Sequence, residues 1–126
     1  MRSYRELTVW QKSMELVVEV YRISRLFPKS EVYGLASQMQ RAAVSVPSNI
    51  AEGQCLKQTQ PYLRHLAIAS GSLAELETQI EIADRLGYLI PSDRAIVQQA
   101  CEVGMMLSAL RNRLRARTDY ELNPKS

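Results

Sequence analysis

The sequence predicts an all-α protein folded as a single antiparallel up-down-up-down four-helix bundle. Apolar residues recur at alternating steps of three and four residues through four stretches of the chain, which is the spacing of amphipathic helices. The links between these stretches are short and carry Pro, Gly or Ser, which favours antiparallel neighbours. No run alternates apolar and polar residues between hairpin turns, so we expect no strands.

The composition describes one small globular domain. A chain of 126 residues, 46% of them hydrophobic, can build a single core without metal or disulfide support. A net charge of +3 permits nucleic-acid binding without indicating it. The N-terminal residues lead into no apolar signal core and no apolar run is long enough for a membrane span, so we expect a soluble, cytoplasmic protein with no membrane partner. Cys55 and Cys101 fit no metal or redox spacing, and we interpret them as reduced packing residues.

The first helix is expected from Thr8 to Leu26. Thr8 is a candidate N-cap, and Phe27 precedes a proline, which disfavours helical backbone. We expect Trp10 to anchor the core. The positions predicted to face the core are Trp10, Met14, Val17, Val18, Tyr21 and Leu26.

The second helix is predicted to be capped by Ser30 and to end near Gly53. Pro47 lies in its interior, where a proline removes one backbone hydrogen bond and costs ~3 kcal/mol relative to alanine. We therefore expect the helix either to be kinked at Pro47 or to break and restart there. Its core line is Leu35, Met39, Ala42, Val46 and Ile50.

A second apolar strip on this helix consists of Val44, Pro47 and Ala51. A helix that is apolar on two sides usually has two neighbours, so the strip is predicted to pack against another subunit. Arg41 and Glu52 lie in a polar seam between the two strips, together with two serines, Ser45 and Ser48. We expect the seam to join neighbouring subunits, and the alternative is that Arg41 and Glu52 orient a ligand.

The third and fourth helices carry the most regular patterns. The third is predicted to begin at Thr59 and to exit through Gly87 in the left-handed conformation. The bundle is predicted to span residues 1–117, followed by a mobile tail at 118–126. The predicted core positions are Leu66, Ala69, Leu73, Leu76, Ile80 and Ala83 in the third helix and Ile96, Ala100, Val103, Leu107, Leu110 and Leu114 in the fourth.

The concentrated positive charge of the chain is the run Arg111, Arg113, Arg115 and Arg117. On a helical wheel these arginines flank the apolar stripe on both sides. In one interpretation their stems lie along the core edge and their charges favour the C-terminal end of the helix. In the other, repetition of the cluster around a ring of subunits creates a basic rim that binds phosphate backbones.

No motif predicts catalysis, a metal or a cofactor. The chain lacks GxSxG, Walker, HExxH and paired CxxC sequences, and His65 is its one histidine. A di-iron bundle needs Glu-x-x-His motifs on two helices, which a single histidine cannot supply. The acidic residues of the third helix are therefore expected to form a solvated face that pairs with arginines: Glu75, Glu77, Glu81 and Asp84.

Several segments closely resemble a known family: Val9-Trp10-Gln11-Lys12, the stretch Gln38–Gly53, Ala69-Ser70-Gly71-Ser72-Leu73 and Leu86-Gly87-Tyr88. The resemblance runs from Leu7 to about Leu114, and the family is that of bacterial four-helix-bundle proteins encoded in intervening sequences of large-subunit ribosomal RNA genes. It implies a ring-like homopentamer without established enzymatic activity. It also implies kinship in fold with the accessory variability protein of diversity-generating retroelements, a basic pentameric barrel that binds nucleic acid and a reverse transcriptase.

Pattern and resemblance together favour a non-enzymatic, oligomeric scaffold. We expect it to bind RNA or DNA, or a nucleic-acid-processing protein, through charge displayed around the ring. The competing hypothesis is a structural or protein-interaction oligomer without affinity for nucleic acid.

Overall fold

This computed structural model describes the backbone of residues 3–122 and the side chains of residues 3–118. Its four helices are α1 (Thr8–Ser24), α2 (Leu35–Cys55), α3 (Thr59–Arg85) and α4 (Ala95–Leu122). Three short 3₁₀ turns precede α1, α2 and α4, namely Tyr4–Glu6, Lys29–Glu31 and Pro91–Arg94. Residues 3–122 contain no strand, so the predicted all-α, four-helix class is confirmed.

The helices contact each other in chain order around the bundle. α1 packs on α2 and α4, and α3 packs on α2 and α4, with the most extensive contact between α2 and α3. The 3₁₀ turn Tyr4–Glu6, the α2–α3 link (residues 56–58) and the C-terminal part of α4 lie at one end, which we call the terminal end. The longer connections, residues 25–34 and 86–94, meet at the opposite connection end. There the Tyr88 hydroxyl donates a hydrogen bond to Glu31 Oε2 at 2.9 Å.

The predicted core is confirmed for three of the four helices. Leu35 is half-buried, and the remaining predicted core positions of α2, α3 and α4 are buried. Apolar stripes identify these faces because apolar side chains fill nearly all of the buried positions, with Gln79 of α3 as a buried polar exception. Within residues 3–122, none of the helices combines the length and apolar character needed to cross a bilayer.

The predicted core face of α1 was wrong in part: Trp10 and Val17 are partly buried against the core, but most of the buried positions are others. Met14 is 40% exposed and Val18 68% exposed, while Trp10 is half-buried beside the Tyr4 ring at 5.3 Å. Val17 and Tyr21 are half-buried, and Leu26 lies beyond the end of the helix and is exposed. The buried side consists of Val9, Ser13, Leu16, Val20, Ile23 and Ser24.

Two buried serines explain this difference. Ser13 Oγ donates to the carbonyl of Trp10 at 2.8 Å, and Ser24 Oγ donates to the carbonyl of Tyr21 at 3.3 Å. Ser24 Oγ also accepts a hydrogen bond from Gln40 Nε2 of α2 at 2.9 Å. Because these hydroxyls have hydrogen-bond partners, the serines can be buried, yet they interrupt the apolar pattern by which a core face is recognised.

The helix starts also differ from prediction. Thr8 is the first residue of α1, and Leu7 occupies its N-cap position. Ser30 lies within a 3₁₀ turn, and Glu31 Oε1 accepts the N–H of Leu35 at 3.1 Å in place of the predicted serine cap. A carboxylate at this position satisfies one free donor and opposes the positive end of the helix dipole.

α2 continues without a break through Pro47, and the predicted restart is wrong. Pro47 is buried within its own bundle, which corrects its assignment to a subunit interface. Gln40, two helical turns earlier, donates a hydrogen bond to Ser24 of α1. Residues two turns apart share a helix face, so Pro47 lies on the side of α2 that faces α1. That edge of the second apolar strip is thus covered by α1.

α4 runs five residues past the predicted boundary at Arg117 and ends at Leu122. Thr118 Oγ1 donates to the carbonyl of Leu114 at 3.1 Å, within the helix. Thr118 was predicted to begin a mobile tail; the last four residues of that tail, 123–126, lie outside the described residues.

Two glycines have distinct backbone roles. Gly87 has φ +78°, as predicted for the exit from α3. Gly53 does not end α2, which continues to Cys55; it lies where α2 and α3 approach closely. A Cβ at Gly53 would lie 2.8 Å from His65 Cβ and 2.9 Å from Tyr62 Cδ1, so glycine permits this approach.

We predict that Gly53→Ala lowers the free energy of unfolding by about 1–3 kcal/mol, because α3 must move to accommodate the methyl group. Gly71→Ala is the matched control in the middle of α3. Gly71 is exposed and has no atom within 4 Å of an added Cβ, so alanine should stabilise by ~0.5–1 kcal/mol through helix propensity. Urea denaturation measures both variants, and equal effects would contradict the close approach at Gly53.

Candidate nucleic-acid interface

Two of the predicted arginines lie at the terminal end of the bundle. Arg113 and Arg117 are exposed and one turn apart on α4, so they share a face of the helix. Arg113 borders a groove beside Leu7 and Thr8, at the start of α1. Arg117 borders a second cavity together with Lys57 of the α2–α3 link.

The other two arginines lie on the opposite flank of α4. Arg111 is half-buried and its Nη1 donates to Ser70 Oγ of α3 at 3.2 Å, while its Nε is buried without a described partner. Arg115 is exposed and its Nη1 donates to Asn112 Oδ1 at 3.4 Å. The four arginines therefore form two pairs on two faces, and a nucleic-acid role for any of them stays a prediction.

Sequence reasoning missed two cations at the terminal end. Lys57 has φ +55°, a left-handed conformation that is uncommon for a residue with a side chain, and its Nζ has no partner among the described residues. The Arg5 guanidinium lies over the rings of Tyr4 and Trp10, 5.5 Å and 5.8 Å from their centroids. Bundle topology was the available signal, because the start of the first helix, the second connection and the end of the fourth helix of an up-down bundle lie at the same end.

The cavity beside Arg117 has a volume of about 300 Å³ and combines apolar and polar walls. We call it the Tyr62 pocket. Tyr62, in the first turns of α3, is half-buried, and Arg113 lies within electrostatic range of its hydroxyl. Burial raises the pKa of Tyr62 to about 12, and the positive charge of Arg113 opposes part of that rise. The other lining residues are Leu7, Gln54, Lys57, Gln58, Thr59, Leu110, Leu114 and Arg117.

The polar seam of α2 contacts α3 of the same chain. Ser45 Oγ lies 2.7 Å from Ser72 Oγ, and Asn49 Oδ1 lies 3.0 Å from His65 Nδ1. Glu52 Oε2 is 3.3 Å from the same histidine nitrogen. This part of the seam joins two helices within one subunit, where we had expected a contact between subunits.

The outer face of α2 retains the rest of the predicted interface. Val44 is 39% exposed and Ala51 is half-buried. Arg41 is exposed, and its Nη2 donates to Ser37 Oγ at 3.2 Å. These side chains are accessible to a second copy of the chain, and their role in an interface stays a prediction.

The acidic face of α3 forms ion pairs with arginines. Arg85 Nη2 lies 2.7 Å from Glu81 Oε2, and Arg94 Nε lies 3.1 Å from Asp84 Oδ1. Among the described side chains, no three His, Cys, Asp or Glu residues come together as metal ligands would. Both cysteines, Cys55 and Cys101, are exposed, which corrects their interpretation as packing residues.

A family model described as 23S rRNA-intervening sequence protein matches residues 5–109, most of the chain. The chain belongs to the 23S rRNA-intervening sequence protein family. Among solved structures, a protein of unknown function from the S23 ribosomal protein family of Bacteroides thetaiotaomicron shares 22% identity and a TM-score of 0.76. The similarity covers 82% of this chain and 98% of that chain, and at this identity it shows the fold alone. No curated protein matches the chain.

Only part of the terminal end of this intervening-sequence family member falls within the region that the family model matches. Arg5, Lys57 and Tyr62 lie within residues 5–109, whereas Arg113 and Arg117 follow them. The link and the start of α3 are therefore part of the family pattern, and the arginine run extends beyond it.

We predict that Tyr62→Phe weakens the loss of stability at high pH. The folded-state pKa of Tyr62, about 12, lies above its ordinary value of 10.0, so the protonated phenol favours folding. That contribution is present below pH 10 and is lost as the pH rises towards 12. The free energy of unfolding, measured across this range, should fall less steeply in Tyr62→Phe than in the unsubstituted protein. Parallel curves would contradict the raised pKa.

Proposed function

We propose that this protein is a non-enzymatic, oligomeric scaffold of the cytoplasm that binds RNA or DNA through the phosphate backbone. The observation that carries the proposal is the convergence of cations from three separate segments at the terminal end. Arg5 comes from the first 3₁₀ turn, Lys57 from the α2–α3 link, and Arg113 and Arg117 from α4. These segments meet because short links return antiparallel helices to the same end.

Electrostatics explains why an oligomer suits this function. Each cation that neutralises a phosphate releases a condensed counterion, so affinity grows with the number of contacts and falls with salt. One subunit offers few such contacts. Repetition of the terminal end around a ring would align them along one strand and raise the effective concentration of each successive contact. A nucleic-acid-processing protein that accompanies the strand is a compatible partner.

The proposed ring, a homopentamer by resemblance to the family, needs a contact between copies. The outer face of α2 offers Val44 and Ala51 for that contact, with Arg41 and Glu52 beside them. A head-to-tail contact repeated between identical copies closes a ring when its rotation allows.

A second candidate function is protein binding without nucleic-acid affinity, and the connection end favours it. Tyr33 is 97% exposed there, beside the exposed Val32. Leu26, Leu86 and Ile90 are also exposed on the two connections of this end. Exposed apolar side chains grouped in this way are typical of protein interaction sites.

We predict that Arg113→Gln/Arg117→Gln weakens binding to generic RNA and DNA and reduces the slope of log affinity against log salt by about 2 in magnitude. The expected cause is the loss of two phosphate contacts at the terminal end. Fluorescence anisotropy over a series of salt concentrations measures both quantities.

The matched control is Arg111→Gln/Arg115→Gln, which removes the same charge from the opposite flank of α4. This variant should keep most of the salt slope, because Arg111 contacts Ser70 and Arg115 contacts Asn112. If the two double variants lose the same affinity and the same salt slope, the effect comes from net charge and not from contacts at the terminal end. No binding of RNA or DNA by the unsubstituted protein at low salt would support the protein-binding alternative, and binding that does not change with salt would contradict the phosphate-backbone proposal.

We predict that Val44→Arg converts the oligomer to monomers while the helical circular dichroism is retained, because a buried charge between copies is unfavourable. Val18→Arg, at the exposed face of α1, is the matched control and should leave the oligomer intact. Light scattering gives the mass of each species. An unchanged oligomer in Val44→Arg would remove α2 from the interface.

A further inference from the structure

The Tyr62 pocket has the mixed chemistry of a nucleotide site. Leu7, Leu110 and Leu114 are nearly buried and supply its apolar surface. Tyr62 supplies an aromatic wall, and Lys57 lies on the polar side of the cavity. A volume of about 300 Å³ lies at the lower end of the range of small-molecule sites, which suits a single planar heterocycle.

The Tyr62 ring is held in place before any ligand arrives. Its Cδ1 lies where a Cβ at Gly53 would approach it to 2.9 Å, so α2 supports the ring through its one buried glycine. A ring that is already ordered loses little entropy when a base stacks on it. Stacking of one base on an aromatic side chain contributes ~1–3 kcal/mol.

Two side-chain amides that line the Tyr62 pocket are available to hydrogen-bond a base. Gln54 and Gln58 flank the turn at Lys57, and neither side chain makes a hydrogen bond to the described residues. A glutamine amide offers both donor and acceptor atoms, which match the polar edge of a nucleobase. Gln54 lies in the last turn of α2, Gln58 follows the left-handed turn at Lys57, and both line the pocket.

The cations of the pocket suit the phosphate that adjoins such a base. Lys57 and Arg117 both border the Tyr62 pocket, and apolar side chains line the rest of the wall beside them. A nucleotide satisfies both parts, because its base is planar and its phosphate is anionic. A base that is paired and stacked within a duplex presents neither face to a pocket, so the occupant must be unpaired.

We infer that the Tyr62 pocket binds one unpaired nucleobase of a bound strand, stacked on Tyr62, with its phosphate on Lys57 and Arg117. The inference rests on the proposed nucleic-acid function and narrows it to single-stranded, bulged or terminal nucleotides. Gln54 and Gln58 contact the edge of the base.

The test compares three ligands of matched length by fluorescence anisotropy: a single strand, the same strand with abasic sites, and a blunt duplex. The unsubstituted protein should bind the single strand about tenfold or more tightly than the abasic strand, since both carry the same phosphates. Tyr62→Leu should remove this difference, whereas Tyr62→Phe, which keeps the ring, should retain it. Gln58→Leu, at an exposed position, should weaken binding to the single strand and leave binding to the abasic strand unchanged.

The outcomes separate this inference from the proposed function. Salt-dependent binding of all three ligands, with no preference for the strand that carries bases, would overturn the base pocket and leave phosphate binding in place. Failure to bind any of them at low salt would overturn both. If Tyr62→Leu does not fold by circular dichroism, the abasic comparison on the unsubstituted protein and the Gln58→Leu variant still decide the question.

Discussion

The close contact between α2 and α3 is the interaction on which the rest of the structure depends. Gly53 removes the side chain that would hold Tyr62 and His65 away, and the Ser45–Ser72 and Asn49–His65 hydrogen bonds fix the two helices in register. Because the helices approach so closely, a link of three residues can join them. That short link forms part of the terminal end and positions Lys57 there.

Charge at the terminal end is a product of topology more than of local sequence. The net charge of the chain is only +3, and the arginine run of α4 divides between two faces. The fold adds Lys57 to the cavity that Arg117 borders, and it places Arg5 in the 3₁₀ turn at the same end of the bundle. A modest number of cations is thus concentrated at one end of the bundle. Apolar side chains lie beside them, so this surface can contact a base as well as attract phosphates.

The sequence predicted α3 and α4 well because aliphatic residues recur at helical spacing along their buried faces, which the buried Gln79 of α3 does not interrupt. It failed on the face of α1, where Ser13 and Ser24 are buried and bond to backbone carbonyls. Pro47 was predicted to break α2 and instead lies inside an unbroken helix that faces α1, since tertiary packing outweighs local propensity. The arginines of the candidate site were visible as a run in the sequence. The Tyr62 pocket was not, because it is assembled from Leu7, the end of α2, the link, the start of α3 and α4, which are distant in sequence.

The most direct test of the terminal end as the nucleic-acid interface is a two-dimensional amide NMR titration with a short single-stranded oligonucleotide. We predict that shift changes concentrate in residues 54–62 and 110–117 and disappear as salt is raised. Changes concentrated instead in the connection end, residues 25–34 and 86–94, would contradict it.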